Sequence, residues 1–148
     1  EAVKPVIERL KETGWTFGSH TWGHIRLDSR PLESVQRDTV RWAEEVGSLV
    51  GPTNILFYPH GGRPDGDDWH STGPVFQYLQ SQGFRIFASV GINSFSYIKK
   101  DISAVICDRL HPDGTTLRNG KALEWYSQFY DAREIIDLDV RPDLGVTW

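Results

Sequence analysis

The sequence is short of cysteine, of positive charge and of long apolar stretches, and each shortage removes a class of function. One cysteine, Cys107, stands among 148 residues, which rules out an internal disulfide framework. It lies in the run Ala104-Val105-Ile106-Cys107, a setting that predicts an inert core thiol rather than a nucleophile. Lysine and arginine total 16 against 20 acidic residues, for a net charge of −4. With no basic cluster, the chain carries no electrostatic footprint for nucleic acid. No apolar run reaches the length of a bilayer span. No internal repeat, low-complexity tract or linker is evident, and the opening at Glu1 inside an amphipathic stretch suggests an excised piece whose targeting segment would lie upstream.

What is present suits one α/β domain covering residues 1–148. Val3, Val6, Ile7 and Leu10 recur at helical spacing before Gly14, predicting a first helix with a glycine stop. Residues 15–18 are expected as a short strand, with His20 in the loop after it. Pro31 opens a second helix whose apolar face is Leu32, Val35, Trp42, Val46 and Leu49, ended by Gly51-Pro52. The apolar run at residues 55–58 predicts a strand, followed by a turn-rich loop through Pro59, His60 and Gly61. A helix around Val75 to Leu79, a strand at residues 84–88 and another at 103–107 continue the alternation. Asp113-Gly114 signals a turn, and residues 134–140 a short final strand or docked tail. Apolar strands alternating with amphipathic helices argue for a parallel sheet covered by helices. Loops after the strand carboxyl ends form the working face of such folds. The loops carrying His20, His24 and His60 would share it.

Two imidazoles four residues apart, His20 and His24, can close on one cation, because neutral histidine nitrogens suit borderline metals such as zinc. By itself the spacing equally describes two unrelated histidines. Thr21 stands where a helical H-E-x-x-H zinc protease needs glutamate, and glycines at 18 and 23 disfavour a helix. The longer run Gly14-Trp15-Thr16-Phe17-Gly18-Ser19-His20-Thr21-Trp22-Gly23-His24 resembles the second motif, H-S/T-x-x-H, of the polysaccharide deacetylase (NodB-homology, carbohydrate esterase) family. The resemblance implies a distorted parallel (β/α) barrel, here incomplete, with His20 and His24 as ligands to a divalent metal, usually zinc.

Further matches grow weaker along the chain. Phe57-Tyr58-Pro59-His60-Gly61 is similar to the family's third motif, R-x-P-Y/F-G, one wall of the groove. Phe57 replaces its arginine, which orients the catalytic carboxylate in the family, and His60 replaces an aromatic. Tyr58, Pro59 and His60 are thereby expected to bind substrate, His60 through its backbone N–H, with a solvent-exposed turn histidine as the alternative for His60. Trp22 is expected to stack on a sugar or to pack beneath its loop. Asp65-Gly66-Asp67-Asp68-Trp69 spells the fourth motif, D-x-x-D-W, but follows Pro59 too soon and reads as a solvated acidic loop. Leu110-His111 stands near the fifth motif, L-x-H, which suggests His111 as proton donor. The first motif, T-F-D-D, is absent, and the resemblance would place it before Glu1.

The resemblance implies a secreted or envelope-associated hydrolase that removes N- or O-acetyl groups from a polysaccharide of chitin-oligosaccharide or peptidoglycan type. The alternative is a catalytically inactive carbohydrate- or metal-binding module on the same scaffold. Exposed strand edges left by the missing segment are expected to favour self-association.

Overall fold

The computed structural model describes residues 3–66, 73–90, 96–100, 103–109, 124, 127 and 128. By its contacts the chain divides into Glu1–Leu110 and His111–Trp148, and the account below concerns the first unit. The turn expected at Asp113-Gly114 and the strand expected at residues 134–140 lie outside the described residues.

The first helix, α1, runs Lys4–Glu12 and buries Ile7. Its last carbonyls are met by the Thr13 hydroxyl, which donates to Arg9 at 3.0 Å and to Leu10 at 2.9 Å, before Gly14 turns the chain at φ 88°. Val3 and Val6, expected on the buried face, are exposed. The second helix, α2, spans Leu32–Trp42, with Glu33 in its first turn and Arg41 in its last, both matched to the helix dipole. It continues through a π-helical segment, Ala43–Gly47, into the short α3, Ser48–Val50. Gly51 then ends the run at φ 89°, a conformation that suits glycine. Helix α4, Pro74–Ser81, buries Val75, Phe76 and Leu79.

Among the described residues four strands form a sheet in the order β1-β2-β4-β3: β1 Ile55–Phe57, β2 Ile86–Val90, β3 Ser96–Lys99 and β4 Ala104–Arg109. β1 pairs parallel with β2, and β2 parallel with β4, whereas β3 lies antiparallel on β4. Among the described residues the sheet does not close on itself, so the expected mixed fold with a distorted, incomplete barrel holds. Leu56, Tyr58, Phe76, Leu79, Phe87 and Ile106 make the centre of the core, where the rings of Phe76 and Phe87 lie 4.6 Å apart. No helix among the described residues is long and apolar enough to cross a membrane.

Two expectations need correction. Residues 15–18 do not form a strand; a single parallel bridge joins Ser19 to Leu56, through Ser19 N–H to Ile55 O at 2.9 Å and Phe57 N–H to Ser19 O at 2.8 Å. Gly18 permits this approach, since a Cβ there would sit 2.6 Å from the Phe57 ring. Trp15, before the bridge, is exposed. β3 was not expected: Ser96-Tyr97-Ile98-Lys99 is short and mixed, and it is held by backbone pairing. Ile98 on this outer strand is exposed.

Candidate metal centre

The bridge at Ser19 carries His20 to the carboxyl end of β1. There the ring is locked: its Nδ1 lies 2.9 Å from the Phe57 carbonyl oxygen. A carbonyl only accepts, so Nδ1 bears the proton and Nε2 keeps its lone pair. Burial, chiefly, holds His20 below the ordinary histidine range, with the Arg109, His24 and His60 charges acting the same way and the Phe57 bond opposing them. Burial favours the neutral ring that a metal requires, and the Phe57 bond selects the tautomer.

His24 returns to the same point through a strained loop. Thr21 and His24 both take left-handed backbone, at φ 60° and 51°, which non-glycine residues adopt at a cost of about 1–3 kcal/mol each. Side chains tie the loop down. The Ser19 hydroxyl accepts Thr21 N–H at 3.2 Å, and the Thr21 hydroxyl accepts Ile25 N–H at 3.1 Å. From α2, the buried carboxylate of Asp38 accepts Trp22 N–H at 2.8 Å and Gly23 N–H at 2.7 Å. Sequence reasoning missed Asp38; the available signal was an acidic residue amid the apolar face of α2.

The result is a cluster of imidazoles. The His20 and His24 ring centres are 4.9 Å apart, and those of His24 and His60 are 4.4 Å apart. Two imidazoles bound tetrahedrally to one zinc at about 2.1 Å would have centres roughly 5 Å apart. The His20 and His24 spacing is compatible with that value, and at 68° between ring planes it is also that of an edge-to-face contact. Among the described residues, however, no group of three His, Cys, Asp or Glu side chains is arranged to hold a metal. His60 packs against His24 without completing such a group.

The sequence profile of the polysaccharide deacetylase family matches residues 1–85, more than half of the 148-residue chain. The chain belongs to the polysaccharide deacetylase family. No curated protein and no solved structure matches it.

The remaining expected positions of this deacetylase-family domain divide between surface and core. Tyr58 and Pro59 are fully buried, and the Tyr58 ring packs 6.2 Å from that of Phe87. Their side chains are thus enclosed at the carboxyl end of β1. His60 is exposed at left-handed φ 55°. Trp22 is exposed on one side, while the Arg41 guanidinium covers its ring at 3.5 Å and its Nε1 donates to Glu45 at 2.8 Å. At most one face remains for a sugar. His111, Asp67 and Asp68 lie outside the described residues. Asp65 is committed elsewhere: its carboxylate accepts Val75 N–H at 3.2 Å and Phe76 N–H at 2.9 Å, capping α4. Any side chain at Gly73 would overlap that carboxylate.

Cys107 donates to the Phe87 carbonyl at 3.7 Å. Burial, with the Asp108 charge beside it, pushes its thiol up, so it stays protonated and unreactive.

Proposed function

We propose that this domain is a metal-dependent hydrolase that removes N- or O-acetyl groups from a polysaccharide of chitin-oligosaccharide or peptidoglycan type. The observation that carries the reading is the 4.9 Å pairing of His20 with His24, with His20 fixed through Nδ1 to the Phe57 carbonyl. These two side chains would hold a divalent cation, zinc by preference for their donor type. Bound there, the ion would polarise the acetyl carbonyl and supply an activated water near neutral pH.

The chain's own groups do the rest of the positioning. The Phe57 carbonyl fixes the His20 tautomer, and Asp38 fixes the loop that carries His24. The main-chain N–H of His60 is the proposed donor to the developing oxyanion, a role that does not depend on its side chain. The open face of Trp22 would receive a sugar ring. His111 is the proposed proton donor to the departing amine. Overall, water is added across the acetyl C–N or C–O bond, yielding acetate and a free amine or hydroxyl. By family, the expected setting is secreted or envelope-associated.

The test is acetate release from acetylated chito-oligosaccharide and from peptidoglycan by the zinc-loaded chain joined to a segment that carries the T-F-D-D motif, with His20→Ala as control; the 148-residue chain alone is expected to release little. Release that depends on both zinc and His20 supports the reading. A second reading, a catalytically silent carbohydrate- or metal-binding module, is favoured by the lack of a third convergent ligand among the described residues. Zinc or oligosaccharide binding with no acetate release would select it.

A further inference from the structure

Arg109 enters the chemistry above only through the effect of its charge on His20, yet its side chain reaches the same ground. It closes β4 opposite Val90 of β2, at the sheet end from which the His20 and His60 loops project. Its guanidinium carbon lies 5.6 Å from the Phe57 ring centre, and Nη2 donates to the Tyr58 carbonyl at 3.4 Å. His20 takes the carbonyl just before, that of Phe57. Successive carbonyls of a strand point to opposite edges, so His20 and Arg109 flank the end of β1 from its two sides.

The Nε of Arg109 is buried and has no hydrogen-bond partner among the described residues. A charged donor withdrawn from water is costly unless an acceptor meets it. The acidic residue preceding it, Asp108, is engaged by Arg63 at 3.0 Å. The Nε–Nη2 edge of this guanidinium thus holds one uncommitted donor beside one committed only through a long bond. That edge matches the two oxygens of a carboxylate.

We propose that Arg109 is a carboxylate-binding residue of the histidine site, and that its ligand is the small carboxylate released by acetyl hydrolysis, acetate. The choice of acetate rests on the hydrolytic reading above; the capacity for a carboxylate rests on the geometry of Arg109. An acetyl amide or ester is neutral and its cleaved product is an anion. A fixed guanidinium at this place therefore distinguishes product from substrate by charge.

The experiment is a titration of sodium acetate into the metal-free 148-residue chain, followed by calorimetry and by the NMR signals of the histidine rings. Saturable binding is expected in the parent chain, at least about tenfold weaker in Arg109→Gln and intermediate in Arg109→Lys. Absence of saturable binding, or equal affinity in Arg109→Gln, overturns the proposal. Should Arg109→Gln fail to fold, undiminished affinity in Arg109→Lys overturns it and a weakened one supports it. A zinc titration of the same samples keeps the two readings apart. Zinc uptake without Arg109-dependent acetate binding removes this inference alone. Acetate binding through Arg109 without zinc uptake removes the metal-dependent reading alone.

Discussion

The two loops at the carboxyl end of β1 make an instructive pair. Each sets a histidine in left-handed backbone, His24 at φ 51° and His60 at φ 55°, and the two rings meet at 4.4 Å. Their anchoring differs. The first loop is held by side chains that accept its main-chain N–H groups, above all both oxygens of buried Asp38. The second is held by contacts to neighbouring strands: the Ser89 hydroxyl on Gly61 O at 3.1 Å, and the ion pair of Arg63 with Asp108. The first loop is thus pinned through its amides and the second through the Gly61 carbonyl and a flanking ion pair, and each leaves a histidine, His24 or His60, exposed.

Removing an imidazole breaks the comparison most sharply. His20→Ala or His24→Ala should lower zinc affinity by at least about 100-fold, beyond the range typical of losing a supporting contact. His60→Ala should leave the affinity unchanged. Competition with a chelating dye reads all three, and equal losses would erase the distinction between the loops.

Removing the anchor comes next. Asp38→Ala strands two backbone donors and should cost about 2–3 kcal/mol in urea denaturation, with zinc affinity about tenfold lower. Asp65→Ala should cost only about 1 kcal/mol, the worth of a helix cap, with zinc binding intact. A zinc defect in the Asp65 variant would bring that residue back as a site carboxylate.

The smallest effect concerns protons. His20 is held below the ordinary histidine range chiefly by burial, so the unfolded chain takes up its proton first on acidification. Stability rises with pH across that interval: the His20 contribution is complete above the unfolded value near 6.5 and is lost as pH falls below it. Denaturation midpoints of the metal-free chain should therefore drop on mild acidification, and less so in His20→Gln. Identical pH profiles for the two chains would show that His20 is not withdrawn from solvent.

Much of this was legible in the sequence. Apolar runs and glycine stops placed α1, α2, α4, β1, β2 and β4, because a helix needs a 3.6-residue apolar period and a buried strand an unbroken apolar run. The histidine motif in its glycine-bounded setting pointed to the family. Trp15-Thr16-Phe17-Gly18 misled because it has strand composition but pairs only at Ser19. β3 was hidden because Ser96-Tyr97-Ile98-Lys99 is ordered by its partner β4.

The sequence by itself determined the alternation of helix and strand, the family, and the placing of His20 and His24 on one short loop, since all three depend on local pattern. Only the tertiary structure decided that Tyr58 and Pro59 turn into the core, that Asp38 of α2 grips the histidine loop, and that His60 and Arg109 arrive beside His20 and His24. Those facts depend on strand register and helix packing between residues far apart in the chain, and no local spacing encodes them.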